Sequence, residues 1–160
     1  MTMSQTEFKL GGAGNADMGA TPASDAEWQR LWLAITRKPW TSLAVVPADS
    51  GIRTDDLAET LVAVGRQHGA RRPVRVLSAV GARLGDVQQL IESVRQLTSR
   101  GDCVVIALDP FGENPAAIPI AGATSGVLLV VRIGTSRLSS ARRVAEAIGP
   151  ERLLGSVVLG

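Results

Sequence analysis

The sequence contains no tyrosine, and tryptophan and phenylalanine together supply only 3% of its 160 residues. No chemistry that needs a phenolic hydroxyl can therefore take place on its own side chains. At 45% hydrophobic and 20% charged residues, the chain has the composition of a well-buried domain. Its length suits one such domain with a tail and excludes a second.

Cysteine and histidine are each present once, as Cys103 and His68. One cysteine excludes an intramolecular disulfide and favours a reducing compartment, which we expect to be the cytoplasm. Cys103 opens an apolar run without cations beside it in sequence, so we interpret it as structural rather than nucleophilic. No Cys/His spacing predicts a metal site, and no motif supports a histidine-based triad, so we predict neither catalytic residues nor metal ligands.

Long hydrophobic runs are also missing. Apolar stretches such as Val127 to Val131 are far too short to span a bilayer, and no basic and apolar leader opens the chain. The 17 basic and 15 acidic residues are interspersed, and pairs such as Arg71-Arg72 and Arg142-Arg143 suggest solvated surface. We therefore expect no nucleic-acid partner and no membrane insertion; recruitment to the inner membrane would need a partner.

Short apolar runs alternate with amphipathic stretches from residue 25 to the end. Continuous rather than alternating apolar strands are typical of a parallel sheet covered on both faces, and right-handed crossovers then make it doubly wound. We predict one α/β domain over 25–160 and a flexible arm over the glycine-rich residues 1–24. The predicted strands are 42–47, 74–77, 103–108, 127–131 and 154–159, and the predicted helices 25–37, 54–68, 84–99, 115–121 and 136–148.

The first predicted strand runs into a turn and a helix start, the arrangement in which α/β proteins hold phosphate. Thr54 would cap that helix, with acids following it. An intact P-loop reads G-x-x-x-x-G-K-[ST], whereas Gly51-Ile52-Arg53-Thr54 lacks the lysine and the second glycine. Asp49, Ser50 and Thr54 could still bind an anion, but we favour an ordinary turn.

Asp109 ends the run 103–108 and is the best candidate for a retained functional acid. The alternative, to which we give equal weight, is a strand-end aspartate that caps the turn at 111–113.

The helix at 25–37 carries two tryptophans. Trp28, Leu31, Trp32 and Ile35 share one face, which we interpret as packing against the sheet, with an interface as the alternative.

Taken together, residues 27–160 resemble the cytoplasmic domain of bacterial tyrosine kinases of exopolysaccharide systems, a branch of the MinD/ParA-type P-loop proteins. That family opens with an E-x-x-R-x-x-R helix, which Glu27 and Arg30 match, while Leu33 replaces the last arginine. The strand ending at Asp109-Pro110 is similar to the Walker B strand. The strand ending at Ser78 lacks the aspartate of the Walker A′ motif, and the tyrosine tail that accepts phosphate in the family has no counterpart here.

The resemblance implies a P-loop NTPase-like sheet in which strand 42–47 lies directly beside strand 103–108. Because several catalytic parts are missing, we expect a kinase-like interaction subunit without a cofactor, associated with a polysaccharide synthesis or export assembly. The alternative is a divergent ATPase that binds ATP and Mg²⁺ through Ser50, Gly51, Arg53, Thr54 and Asp109. In the family the first helix contacts neighbouring subunits, so Glu27, Trp28, Arg30 and Leu33 form the expected contact surface for a partner, or for a second copy.

Overall fold

The computed structural model of the chain describes residues 6–10, as backbone, and residues 25–160. The strands are β1 (Thr6–Leu10), β2 (Ser42–Pro47), β3 (Val74–Ser78), β4 (Cys103–Ala107), β5 (Gly126–Arg132) and β6 (Leu153–Leu159). The α-helices are α1 (Asp25–Ile35), α2 (Thr54–Gln67), α3 (Val87–Ser99), α4 (Ala117–Gly122) and α5 (Leu138–Ile148), and a 3₁₀ turn at Leu84–Asp86 precedes α3.

Within the described residues, these strands form one six-stranded sheet in the order β1-β6-β5-β2-β4-β3, and all neighbouring strands are parallel. The predicted α/β architecture is therefore confirmed. β2 pairs directly with β4, with Leu43 opposite Val105, so the neighbour relation expected from the resemblance is also confirmed.

Helices cover both faces of the sheet, and the strand side chains alternate between two cores. Leu43 and Val45 of β2 face the layer of α1 and α2, whereas Ala44 and Val46 face the layer of α3, α4 and α5. All four side chains are at most 1% exposed. A strand buried on both faces has no solvent-exposed face for polar side chains, which explains why its sequence is continuously apolar.

The strand β1 was not predicted. Thr6–Leu10 lies in the segment expected to be an arm without regular structure, but its backbone pairs with β6 over Gly155 to Leu159. The expectation was wrong for these residues, because the alternating sequence TEFKL gives a weak local signal and the pairing partner lies about 150 residues away. The rest of the predicted arm, residues 1–5 and 11–24, lies outside the described residues.

Candidate functional site

The candidate site lies at the carboxyl edge of the sheet, the edge where the parallel strands end. In open α/β sheets ligands bind in the crevice beyond these strand ends. Here a cleft of about 470 Å³ lies between the turn after β2, the loop after β4 and the helix α5. Its walls include Ser50, Phe111, Arg137, Ser140 and Arg143.

The turn after β2 is the degenerate phosphate loop. It turns at Gly51, whose φ of +84° favours glycine. The carbonyl of Gly51 accepts a hydrogen bond from Arg132 Nη1 at 2.9 Å, and the backbone N–H of Ala48 donates to Val130 O at 2.8 Å. Both contacts come from β5, so the neighbouring strand holds this turn in place.

Thr54 begins α2 but does not cap it. Its side chain is 2% exposed, and its hydroxyl donates to the carbonyl of Leu108 at 2.8 Å. The residue in the cap position is Arg53, which makes no side-chain capping bond, so the predicted Thr54 cap is wrong. The hydroxyl is used instead to join α2 to the end of β4, a partner that the local sequence does not reveal.

Arg53, the only residue of the loop that could replace the missing lysine, lies at the surface. Its Nε is 3.1 Å from Asp56 Oδ2, and the two side chains are 84% and 60% exposed. Such an exposed pair contributes little to stability. The acids of the first turn of α2, Asp55 and Asp56, stabilise the positive end of the helix dipole, and they would repel a phosphate at that end.

Asp49 caps the neighbouring helix. Its Oδ1 accepts from the Ser140 hydroxyl and its Oδ2 from the backbone N–H of Arg137, both at 2.7 Å. These two hydrogen bonds, in that order, lower the pKa of the Asp49 carboxyl below its usual value, and the charges of Arg137 and Arg143 add to this effect. Asp49 therefore brings a negative charge to the place where an anion would have to bind, which agrees with the ordinary turn that we favoured.

Asp109 follows β4 and joins its own loop to the loop after β3. Its Oδ2 accepts from the backbone N–H of Gly81 at 2.7 Å and from Asn114 Nδ2 at 2.9 Å. The turn at 111–113 is closed instead by backbone hydrogen bonds, from Glu113 and Asn114 to Pro110 O. The Asp109 carboxylate therefore holds the loop after β3 against the loop after β4, a contact between segments distant in sequence.

The structure places Ser50, Gly51, Arg53 and Thr54 in the turn after β2 and at the start of α2. Thr54 lies near Asp109 because its hydroxyl bonds to the carbonyl of Leu108. Of these predicted residues, only Ser50 lines the cleft. Sequence reasoning missed its opposite wall, which is formed by Arg137, just before α5, and by Ser140 and Arg143 on α5. Their i, i+3, i+6 spacing was a usable signal, since it predicts one face of a helix.

The residues present do not fit Mg²⁺ and ATP as they are arranged here. The hydroxyl of Thr54 and the carboxylate of Asp109, which would have to serve the metal, both bind the chain itself. Among the described residues, no three His, Cys, Asp or Glu side chains come together as a set of metal ligands.

Cys103 lies at the opposite edge of the sheet. Burial raises the pKa of its thiol, an effect that Arg72 counteracts, and its Sγ lies 3.8 Å from the carbonyl of Trp40. A raised pKa disfavours the thiolate, which is consistent with the structural role expected from the sequence.

Helix α1, which carries the expected contact residues, packs on the sheet through its aromatic face. Trp32 is 6% exposed and Trp28 packs partly buried against the same core, as expected. Arg30 is exposed and Leu33 is 64% exposed, so Leu33 faces outward. No helix in the described part of the chain is long and apolar enough to cross a membrane.

The order of strands, the strand-turn-helix at β2 and the acid after β4 define the class of this fold, a doubly wound parallel α/β sheet of the P-loop NTPase-like type. No family model matches the sequence, and no curated protein matches it either. Several solved structures do match in fold, at low sequence identity.

One is the BceF tyrosine kinase domain, with a TM-score of 0.65, 14% identity, and coverage of 85% of this chain and 75% of that domain. A second is the kinase domain of the Escherichia coli tyrosine kinase ETK, with a TM-score of 0.65, 14% identity, and coverage of 91% and 78%. The chimerical protein CapA2B2 matches with a TM-score of 0.72, 12% identity, and coverage of 94% and 92%. The chain therefore has the fold of bacterial tyrosine kinase domains, as the resemblance in sequence implied.

Proposed function

We propose that this protein is a non-catalytic, kinase-like interaction subunit of a bacterial polysaccharide synthesis or export assembly. The observation that carries the proposal is the state of the phosphate loop. Its polar groups bind the chain itself: Thr54 binds β4, Gly51 is held from β5, and Asp49 caps α5. A phosphate group would have to displace these contacts, whereas an interaction subunit uses them to keep the surface rigid.

Exposed apolar side chains at the carboxyl edge support a role in protein binding. Of the six large hydrophobic side chains that are exposed in the described residues, one is Leu33 on α1. The other five are Val80, Leu84, Ile118, Ile133 and Leu138. All five lie on segments that follow the ends of β3, β4 and β5, where a kinase would hold its nucleotide. Apolar side chains gathered around such a site favour a protein partner over a polyphosphate.

The involvement of a polysaccharide assembly rests on the resemblance to tyrosine kinases of exopolysaccharide systems. In this view the partner is a protein component of that assembly, and the contact surface includes Glu27, Trp28, Arg30 and Leu33 of α1. Leu33 in place of the third charge of the family helix gives this surface an exposed apolar centre.

The second candidate function is that of a divergent ATPase. The cleft favours it, because a volume of about 470 Å³ lies in the range typical of small-molecule sites and Arg137 and Arg143 line it. In that case Ser50, Gly51, Arg53, Thr54 and Asp109 would rearrange to hold the phosphates and Mg²⁺.

Calorimetric titration with ATP and ADP, with and without Mg²⁺, separates the two functions. We expect no saturable binding, because both side chains needed for the metal are already bound within the chain. The variants Thr54→Ala and Asp109→Asn should then titrate like the wild type.

Saturable, magnesium-dependent binding that is lost in Thr54→Ala would instead establish the ATPase. The matched control is Thr60→Ala, which removes an exposed threonine from the same helix. If this control also lost binding, a general effect on α2 rather than a metal ligand would explain the loss.

A further inference from the structure

The amino edge of the sheet lies opposite the cleft. It gathers basic residues that are far apart in the sequence. β2, β4 and β3 are neighbours and parallel, so they all begin at this edge. The helices α1, α2 and α3 end there, because each leads into the start of a strand. The three connections, residues 36–41, 68–73 and 100–102, are thereby brought side by side.

These connections are strongly basic. Together with the last turn of α2 and the first residues of β3, they carry seven basic side chains and one carboxylate, Asp102. All seven are exposed. We call this surface the basic edge, and it consists of Arg37, Lys38, Arg66, Arg71, Arg72, Arg75 and Arg100.

Contacts between the connections show that the basic edge is continuous. The backbone N–H of Cys103 donates to Pro73 O at 2.8 Å, and Arg75 Nε is 2.7 Å from Asp102 Oδ2. The charge of Arg72 acts on the Cys103 thiol, which contacts the carbonyl of Trp40. Residues of all three connections therefore lie within a few side-chain lengths of one another.

Helix dipoles explain only part of this charge. A cation in the last turn of a helix interacts favourably with its dipole, which accounts for Arg66 at the end of α2. Arg71 and Arg72 lie beyond Gly69, which has a φ of +86° and follows the end of α2. Arg75 lies on the strand β3. None of these three arginines is therefore in the last turn of a helix. The net charge of the whole chain is only +2, so the residues outside the basic edge are acidic on balance.

We propose that the basic edge binds the surface of a membrane rich in anionic phospholipids. The charge is spread over an open surface, where Arg66, Arg71, Arg72 and Arg75 border a shallow concavity, rather than focused in an enclosed pocket. A spread of this kind matches a plane of headgroups, to which each basic side chain adds attraction.

The aromatic residue at this edge argues against single-stranded nucleic acid. Trp40 is half-buried, its indole N–H donates to Ile35 O, and its ring packs edge-on against Trp32. It is therefore not available for base stacking, on which binding of single strands depends. Contact through the basic edge would also leave the carboxyl edge, with its exposed apolar side chains, open to a protein partner.

The test is flotation of the purified chain with vesicles, using phosphatidylglycerol mixed with phosphatidylcholine against phosphatidylcholine alone. We expect binding only to the anionic vesicles, at about 0.05 M salt and not at about 0.5 M salt, because exposed charges are screened. Arg71→Glu combined with Arg72→Glu should weaken binding about 25-fold or more, since each basic residue near such a surface contributes about fivefold.

The matched control is Arg95→Glu with Arg142→Glu, which changes the net charge equally at exposed positions of α3 and α5 away from the basic edge. We expect it to retain most of the binding. The proposal fails if the chain ignores anionic vesicles or if the control loses as much binding as the Arg71 and Arg72 variant. It also fails if duplex DNA displaces the chain from the vesicles when the DNA phosphate concentration equals the lipid phosphate concentration. The nucleotide titration that tests the proposed function does not depend on vesicle binding, so the two proposals are tested independently.

Discussion

At the residue scale, Asp49 belongs to a degenerate phosphate-binding motif but has a structural role. The sequence places it in a phosphate loop, but its carboxylate receives the Ser140 hydroxyl and the Arg137 N–H at the start of α5. It thus accepts a hydrogen bond from the backbone at the start of α5, a role that usually belongs to a residue adjacent to the helix in sequence. Its partners lie about 90 residues away, so no local pattern could reveal this role.

The pKa of Asp49 makes this role measurable. Because its pKa is lowered in the folded state, Asp49 stabilises the fold above the unfolded-state value near 3.8, and the contribution is lost as pH falls through the folded pKa. We expect Asp49→Ala to lower the free energy of unfolding at neutral pH by about 0.5–2 kcal/mol. Asn keeps one acceptor oxygen and can accept one of the two hydrogen bonds, so Asp49→Asn should lose less stability than Asp49→Ala at neutral pH. Because it has no carboxyl group to protonate, its stability should decline less steeply in acid than that of the wild type.

Urea unfolding from neutral pH to about pH 2.5 provides the measurement. Glu59→Gln, which removes an exposed carboxylate from α2, is the control and should follow the wild-type curve closely. Parallel pH curves for the wild type and Asp49→Asn would contradict the proposed cap.

At the scale of elements, apolar runs predicted the strands from β2 to β6 to within one or two residues, because full burial requires apolar side chains in an unbroken series. Two features were beyond such reasoning. β1 depends on pairing with β6, and the start of α2 depends on the contact between Thr54 and Leu108. Both are long-range contacts, which leave no periodicity in the sequence.

The contact of α1 with α2 depends on a glycine. A Cβ placed on Gly65 would lie 2.5 Å from the ring of Trp32, well inside contact distance. Gly65→Ala should gain about 1 kcal/mol of helix propensity, yet the displaced ring costs about 1–3 kcal/mol. We expect a net loss of stability and a changed tryptophan emission spectrum, because all three tryptophans lie on α1 or just after it.

The control for this substitution is Gly122→Ala at the end of α4, where a Cβ would meet nothing within 4 Å. This variant should be neutral or slightly stabilised, with unchanged emission. Equal behaviour of the two variants in thermal unfolding would mean that α1 is not held against Gly65.

At the scale of the whole molecule, the sequence predicted the parallel sheet, and a cleft lies at the strand ends where we expected a site, but its shape was not predicted. The resemblance correctly placed β2 beside β4. The cleft could not be foreseen, because the spacing of Arg137 and Arg143 predicts a shared helix face but not that this face turns toward the loop after β2. The charge of the basic edge was likewise hidden, since its residues come together only when three connections meet at one edge.

The association of the molecule with other proteins gives the last prediction, which concerns α1. Leu33 is 64% exposed beside the exposed Arg30, and complete burial of a leucine side chain contributes about 1.5–3 kcal/mol. If this surface binds a protein of the polysaccharide assembly, Arg30→Glu with Leu33→Glu should reduce the affinity at least tenfold, because about 1.4 kcal/mol corresponds to that factor. Quantitative pull-down from the native host, with the captured protein identified by mass spectrometry, measures the loss.

Gln88→Glu with Arg95→Glu is the matched control, since it makes the same charge change at two exposed positions of α3. We expect it to recover the partner as the wild type does, while light scattering finds the same mass for all three pure proteins. Because Leu33 replaces the third charge of the helix pattern that this sequence resembles, we expect a partner other than a second copy of the chain. Undiminished recovery by the folded α1 variant would reject α1 as the contact surface. A salt-sensitive oligomer that only this variant lacks would mean instead that α1 joins copies of this chain.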